Sequence, residues 1–131
     1  MSFNLLEGKK YSLSEDYVEY DGRKLYQIYR TQFLDIGEGF LLTERGGYVE
    51  SEDNLSHEGN CWIEEGCCVY GNAKVEGNAL IKCDEDSNPT ILRGRITVKD
   101  NAIIVSSILQ GMRTIGGNTV MAWNTVQKKK K

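Results

Sequence analysis

Residues 59–82 read GNCWIE, EGCCVY, GNAKVE and GNALIK, four blocks of six in succession. The third residue of each block is small (Cys61, Cys67, Ala73, Ala79) and the fifth is aliphatic (Ile63, Val69, Val75, Ile81). A period of six matches neither the 3.6 of a helix nor the 2 of an uninterrupted strand, but it fits a short strand alternating in and out, followed by a turn. The turn accounts for Gly71-Asn72 and Gly77-Asn78, because glycine and asparagine tolerate positive φ. Downstream the register slips across CDEDS (83–87), resumes as NPTILR, GRITVK and DNAIIV, slips again at SSILQ (106–110), and continues as GMRTIG, GNTVMA and WNTVQK. That makes 12 units over residues 59–128.

Three such units per turn close a triangular prism, and the pattern resembles the left-handed parallel β-helix, here of about four coils. The fold expected is therefore all-β. Third and fifth residues point inward, so one aliphatic column is Ile63, Ile81, Val98 and Ile115, and another runs from Val69 through the CDEDS unit to Ile104 and Met121. Asp84-Glu85-Asp86 cannot enter that interior without burying unpaired charge and is expected to bulge out as a loop. Fourth residues point outward: Leu80, Ile91, Ile103, Leu109, Val120 and Val126. Such an apolar exterior predicts burial against sister subunits, with a homotrimer as the expected assembly.

Residues 10–30, KYSLSEDYVEYDGRKLYQIYR, hold two alternating runs, Tyr17 to Tyr20 and Leu25 to Tyr29, around Asp21-Gly22, which predicts a β-hairpin. Residues 31–58 show no sustained period, and Gly37, Gly39, Gly46 and Gly47 are read as turns leading into the first coil. The expected organisation is an N-terminal hairpin and capping segment over 1–58, the repeat coil over 59–127 and a basic tail over 128–131. The cap would shield a coil end that otherwise invites aggregation.

At 131 residues the chain has room for one domain, and 40% hydrophobic with 27% charged residues is a globular composition. The longest aliphatic run, Ala102 to Val105, is far short of a membrane span, and MSFNLLEGKK lacks the apolar stretch of a signal peptide, so a cytoplasmic location is expected. Cys61, Cys67, Cys68 and Cys83 form no CxxC pair, and with a single histidine they suggest packing residues rather than a metal site or disulfide. Residues 1–58 carry 12 acidic and 6 basic side chains, residues 59–127 carry 7 and 6, and the four terminal lysines complete a net charge of −3. That balance argues against a dedicated nucleic-acid surface.

The run from KYSLSEDYVEYDGRKLYQIYR through GGYVESEDNLSHEGNCWIEEGCCVYGNAKVEGNALI resembles hexapeptide-repeat proteins of phages, prophages and enteric bacteria, often labelled acyltransferase or sugar-nucleotide pyrophosphorylase-like. The resemblance covers about residues 9–82 and is most specific at GGYVESEDNLSHEGN (46–60). After Lys82 the array departs from the family's longer GNARV-type repeat. The resemblance implies the fold; its transferase label is an analogy of function.

Under that label His57, the lone histidine, would be the general base that activates an acceptor hydroxyl or amine. Alternatively SHEGN (56–60) is a capping turn in which Ser56 and His57 bond backbone groups. Arg93, Arg95, Lys99 and Arg113 form a basic set able to hold phosphate or carboxylate, or else a solvated face paired with Asp84 to Asp86. In this register Arg113 turns inward and needs either a partner or an exit through the open end. Tyr11, Tyr17, Tyr20, Tyr26, Tyr29 and Tyr48 fit hairpin packing better than base stacking. The leading functional expectation is a non-catalytic oligomer, without cofactor, that sequesters a small anionic, nucleotide-like ligand or blocks a host defence factor. A hexapeptide-class acyltransferase using His57 is the alternative, and a structural assembly module the third.

Overall fold

The protein is described from a computed structural model, which covers residues 11–34, 40–83 and 90–122; for 31–34 and 40–43 only the backbone is described. The N-terminal part is three antiparallel strands, β1 (Ser12–Tyr20), β2 (Arg23–Leu34) and β3 (Phe40–Val49). Asp21 and Gly22 turn the hairpin at φ 58° and 74°, as the Asp-Gly signal predicted. β1 and β2 are longer than the two runs read from the sequence, and a third strand, β3, forms in the aperiodic segment, with Gly46 and Gly47 inside it rather than in turns. Their role is space. A Cβ on Gly46 would come within 2.6 Å of the Ile28 side chain and of the Ile63 carbonyl oxygen, and one on Gly47 within 2.5 Å of the Cys67 carbonyl oxygen. The two glycines thus let β3 lie directly against the first coil.

From there ten short strands follow among the described residues: β4 (Trp62–Ile63), β5 (Cys68–Val69), β6 (Lys74–Val75), β7 (Leu80–Lys82), β8 (Ile91–Leu92), β9 (Arg95–Val98), β10 (Ile103–Val105), β11 (Ile108–Leu109), β12 (Met112–Ile115) and β13 (Val120–Ala122). They visit three parallel sheets in strict rotation. One holds β4, β7, β10 and β13, the second β5, β8 and β11, and the third β6, β9 and β12. The chain is therefore all-β, wound as a parallel three-faced coil compatible with a β-helix, and β3 adds to its second face through the parallel pairs Tyr48–Cys68 and Val49–Val69.

Ile63, Val69, Val75, Ile81, Val98 and Ile104, all expected inside, are fully buried. The columns they join differ from the sequence reading after Lys82. Ile63 stacks on Ile81, Ile104 and Met121; Val69 on Leu92 and Leu109; Val75 on Val98 and Ile115. Leu92 lies 23 residues beyond Val69, not 17 or 18, and pairs with it directly. The expected Asp84 to Asp86 bulge, like Val126 and the basic tail, lies outside the described residues.

One outward assignment is corrected and another is covered from outside. Leu109 is fully buried in the column under Leu92, because SSILQ lost the first position of its unit rather than the last. Ser107 accordingly takes the small inward place, its amide donating to Thr90 Oγ1 at 3.3 Å. Ile91 does point outward, but Leu25 and Tyr70 cover it, leaving 7% exposed. The hairpin thus packs over the second face instead of sitting only on the coil's end. The outer column of the first face, Trp62, Leu80, Ile103 and Val120, is apolar throughout.

A 3-10 turn, Glu52–Asn54, joins β3 to the coil and is capped by Ser51. Asn54 fixes it: the side-chain oxygen accepts from the Glu50 and Ser51 amides at 3.0 Å each, and Nδ2 donates to the Gly71 and Ala73 carbonyls at 3.2 and 2.8 Å. Leu55 then bridges in parallel to Val75, adding a partial rung to the third face.

Leu109→Glu should unfold the coil rather than release an exposed contact, since burying an unpaired carboxylate costs several kcal/mol against a total of about 5–15. Circular dichroism in urea should find no cooperative native baseline, whereas Ile103→Glu, on the half-buried outer column, should retain one.

Candidate functional site

The segment entering the first coil, SHEGN, is brought against the hairpin's start by the 3-10 turn. His57 Nε2 lies 2.9 Å from Glu52 Oε1, and the imidazole stacks on the Tyr11 ring at 4.1 Å with planes 11° apart. Tyr11 is fully buried and donates its hydroxyl to the carbonyls of Glu52 and Leu55, so the surface under the imidazole is itself pinned. Burial, aided by the Glu52 charge, raises the Tyr11 pKa, keeping the phenol protonated as a donor. The His57 side chain remains 21% exposed. Capping contacts occur beside it: Ser56 Oγ accepts from the Glu58 amide at 3.0 Å. His57 itself lies against a carboxylate and an aromatic face, which together hold its ring plane.

Beside this turn runs a groove of about 510 Å³, lined by Ser56, Glu58, Gly77, Asn78, Lys99 and Asp100 among others. Both chain neighbours of His57 line it. Its rim carries an amide ladder, Asn78 Nδ2 donating to Asn101 Oδ1 and Asn101 Nδ2 to Asn118 Oδ1, each at 3.4 Å. The ladder follows from repeated Gly-Asn and Asp-Asn turns stacked one coil apart.

The four basic residues of the expected ligand set are distributed over the coil. Lys99 lines the groove just described. Arg93 lines a separate one at the corner between the second and third faces, with Arg23, Tyr70 and Gln110. Arg95 is exposed at the start of β9, level with Met112. Arg113 stands level with buried Ile96 yet is exposed on β12, the last strand of its sheet among the described residues, so it leaves by the coil's open end. Glu52, Arg23 and Tyr70 escaped the sequence reading. Glu52 was hidden inside an aperiodic segment, while Arg23 and Tyr70 meet only because the hairpin folds back over the second face.

Among the cysteines, Cys67 occupies the small inward position and burial pushes its thiol pKa up to about 12, with the neighbouring Cys83 adding to the shift. None of the four cysteines is in a disulfide. Among the described residues no group of three or more His, Cys, Asp or Glu is placed to hold a metal ion, and no helix is long and apolar enough to cross a membrane.

No protein-family profile matches the chain. It is similar to the uncharacterized acetyltransferase YdcK of Escherichia coli strain K12, 33% identical over 112 residues that cover 79% of this chain. The chain spans about a third of that relative's length, 32%.

Raised pKa values at Tyr11 and Cys67 mean that the native state keeps protons that the unfolded chain releases at alkaline pH. Stability should therefore be intact below about pH 9 and fall as pH rises through the unfolded thiol and phenol range, by up to about 1.4 kcal/mol per pH unit for each group. Urea titrations from pH 8 to 11 check this, and Cys67→Ala should remove the Cys67 share of the slope.

Proposed function

We propose that this chain is a hexapeptide-type, left-handed β-helical unit that supports acyl transfer, with His57 as general base and Glu52 as the residue that orients it. The observation that carries the reading is the Glu52–His57 contact of 2.9 Å on the buried Tyr11 ring, beside an open groove. The name carried by the similar Escherichia coli protein agrees with it. With Glu52 beside Nε2, the imidazole takes the proton of an acceptor hydroxyl or amine as the acceptor attacks the carbonyl of an acyl thioester. The acyl–oxygen or acyl–nitrogen bond forms, the carbon–sulfur bond breaks, and the thiolate leaves, to be protonated from the imidazolium.

Retention of a small anionic ligand without turnover is the second reading, supported by Arg93 in the opposite groove. A reducing, cytoplasmic setting suits four cysteines spaced without a CxxC pair. Self-association as a trimer through the outer column Leu80, Ile103 and Val120 completes the proposal; Val120 is 65% exposed, and a monomer gains nothing from such an apolar row.

The test is thioester consumption with acetyl donors across a panel of amine and hydroxyl acceptors. Turnover should be lost in His57→Ala and fall about 10- to 100-fold in Glu52→Gln with the fold intact. Light scattering on the same preparation should give about three times the 14.8 kDa chain mass. Turnover that survives His57→Ala would remove the base from this role.

A further inference from the structure

On the corner away from His57 the turns between the second and third faces stack as a column of glycines, Gly71, Gly94 and Gly111, with φ of 70°, 75° and 100°. With no side chains there, the column forms the floor of a groove of about 540 Å³. That size lies within the roughly 300–1,000 Å³ typical of small-molecule sites. The walls are polar and come from two parts of the fold. Arg93 and Tyr70 rise from the coil, and Asp21 and Arg23 descend from the hairpin turn, held there by the hairpin's packing over Ile91.

Tyr70 organises this wall. Its hydroxyl donates to Asp21 Oδ2 at 3.0 Å and accepts from Arg93 Nη1 at 3.3 Å, while the Arg23 guanidinium carbon sits 5.5 Å from the ring centroid. Arg23 is paired with Glu50 at 2.7 Å, and the same Glu50 oxygen accepts from the Gly71 amide at 2.9 Å, fastening the arginine to the groove's floor. Arg93 differs. Its hydrogen bonds go to two neutral groups, the Tyr70 hydroxyl and Gln110 Oε1 at 2.8 Å, and among the described residues it enters no ion pair. A guanidinium has five N–H donors, and these contacts occupy two on Arg93 and one on Arg23. Two preset guanidiniums therefore share one glycine-floored groove; Glu50 pairs with Arg23, while the Arg93 guanidinium enters no ion pair among the described residues.

We propose that this groove binds a single phosphate monoester group of a small molecule. Arg93 and Arg23 would hold the phosphate oxygens by charge-assisted hydrogen bonds, and the bare glycine floor would let the body of the ligand lie along the coil. Asp21 accepts from the Tyr70 hydroxyl at the rim, and its carboxylate beside the arginines limits the site to one phosphate. The site stands apart from acyl transfer at His57 and does not depend on it.

Calorimetry at low ionic strength tests this with inorganic phosphate, glucose 6-phosphate, AMP and, as the uncharged control, glucose. Phosphate and at least one monoester should bind and glucose should not; which ester binds tighter identifies the class of molecule that carries the group. Arg93→Gln and Arg23→Gln should each weaken binding about tenfold or more. Asp21→Asn should tighten it several-fold, and because asparagine accepts the positive φ at this position the hairpin turn is kept. Thermal unfolding of each variant reports that the fold is retained, and His57→Ala should bind as the parent does. Absence of heat with phosphate and both esters up to about 10 mM, a weak limit on the affinity scale, would overturn the proposal. Binding unchanged in Arg93→Gln, or weakened rather than strengthened in Asp21→Asn, would overturn it equally.

Discussion

Each coil satisfies its backbone through the coil next to it, and this dependence governs the rest of the molecule. The Trp62 amide bonds the Ala79 carbonyl, the Leu80 amide the Ala102 carbonyl and the Ile103 amide the Thr119 carbonyl, at 2.9–3.1 Å, and the other faces repeat the scheme. A rung cannot form alone, because its amides would be left without acceptors in an apolar interior. The inward columns supply the hydrophobic driving force, and the ladder of amides sets the register. Corners must then turn sharply at every level, and residues that tolerate positive φ occupy them: Gly59, Gly71, Gly77, Gly94, Asp100, Gly111 and Gly117.

The same dependence explains the N-terminal part. The first coil has no rung before it, and β3 takes that place on the second face while Leu55 does so on the third. Asn54 closes the junction by reaching both the Gly71 and the Ala73 carbonyls. Holding that junction shut places Glu52, His57 and Tyr11 together, and folding the hairpin back over Ile91 places Arg23 beside Arg93. Both candidate sites are thus by-products of how the coil is started and covered. Neither is built from side chains of the repeat alone.

How much of this the sequence revealed follows from where periodicity persists. Residues 59–82 repeat without interruption, so their inward residues and corners were legible. The hairpin was legible from Asp21-Gly22. Beyond Lys82 the length of one coil changes, and a period of six does not say which corner absorbs the extra residues; Ile81 was therefore stacked on Val98 instead of Ile104. At SSILQ the same ambiguity moved Leu109 from the core to the surface. Gly46 and Gly47 were read as turns because glycine serves equally for positive φ and for close approach, and only the neighbouring backbone tells the two apart. His57 and Arg93 were singled out by residue type, but their partners Glu52, Tyr70 and Arg23 come from segments whose meeting is tertiary.

The register of the inward columns is the claim on which the coil, the cap and both sites rest, and methyl–methyl nuclear Overhauser contacts measure it directly in solution. The expected result is a set of contacts linking Ile63 to Ile81 and Ile81 to Ile104, Val69 to Leu92 and Leu92 to Leu109, and Val75 to Val98. Strong contacts from Ile81 to Val98, with none from Ile81 to Ile104, would restore the spacing of 17 or 18 residues read from the sequence and contradict the structure.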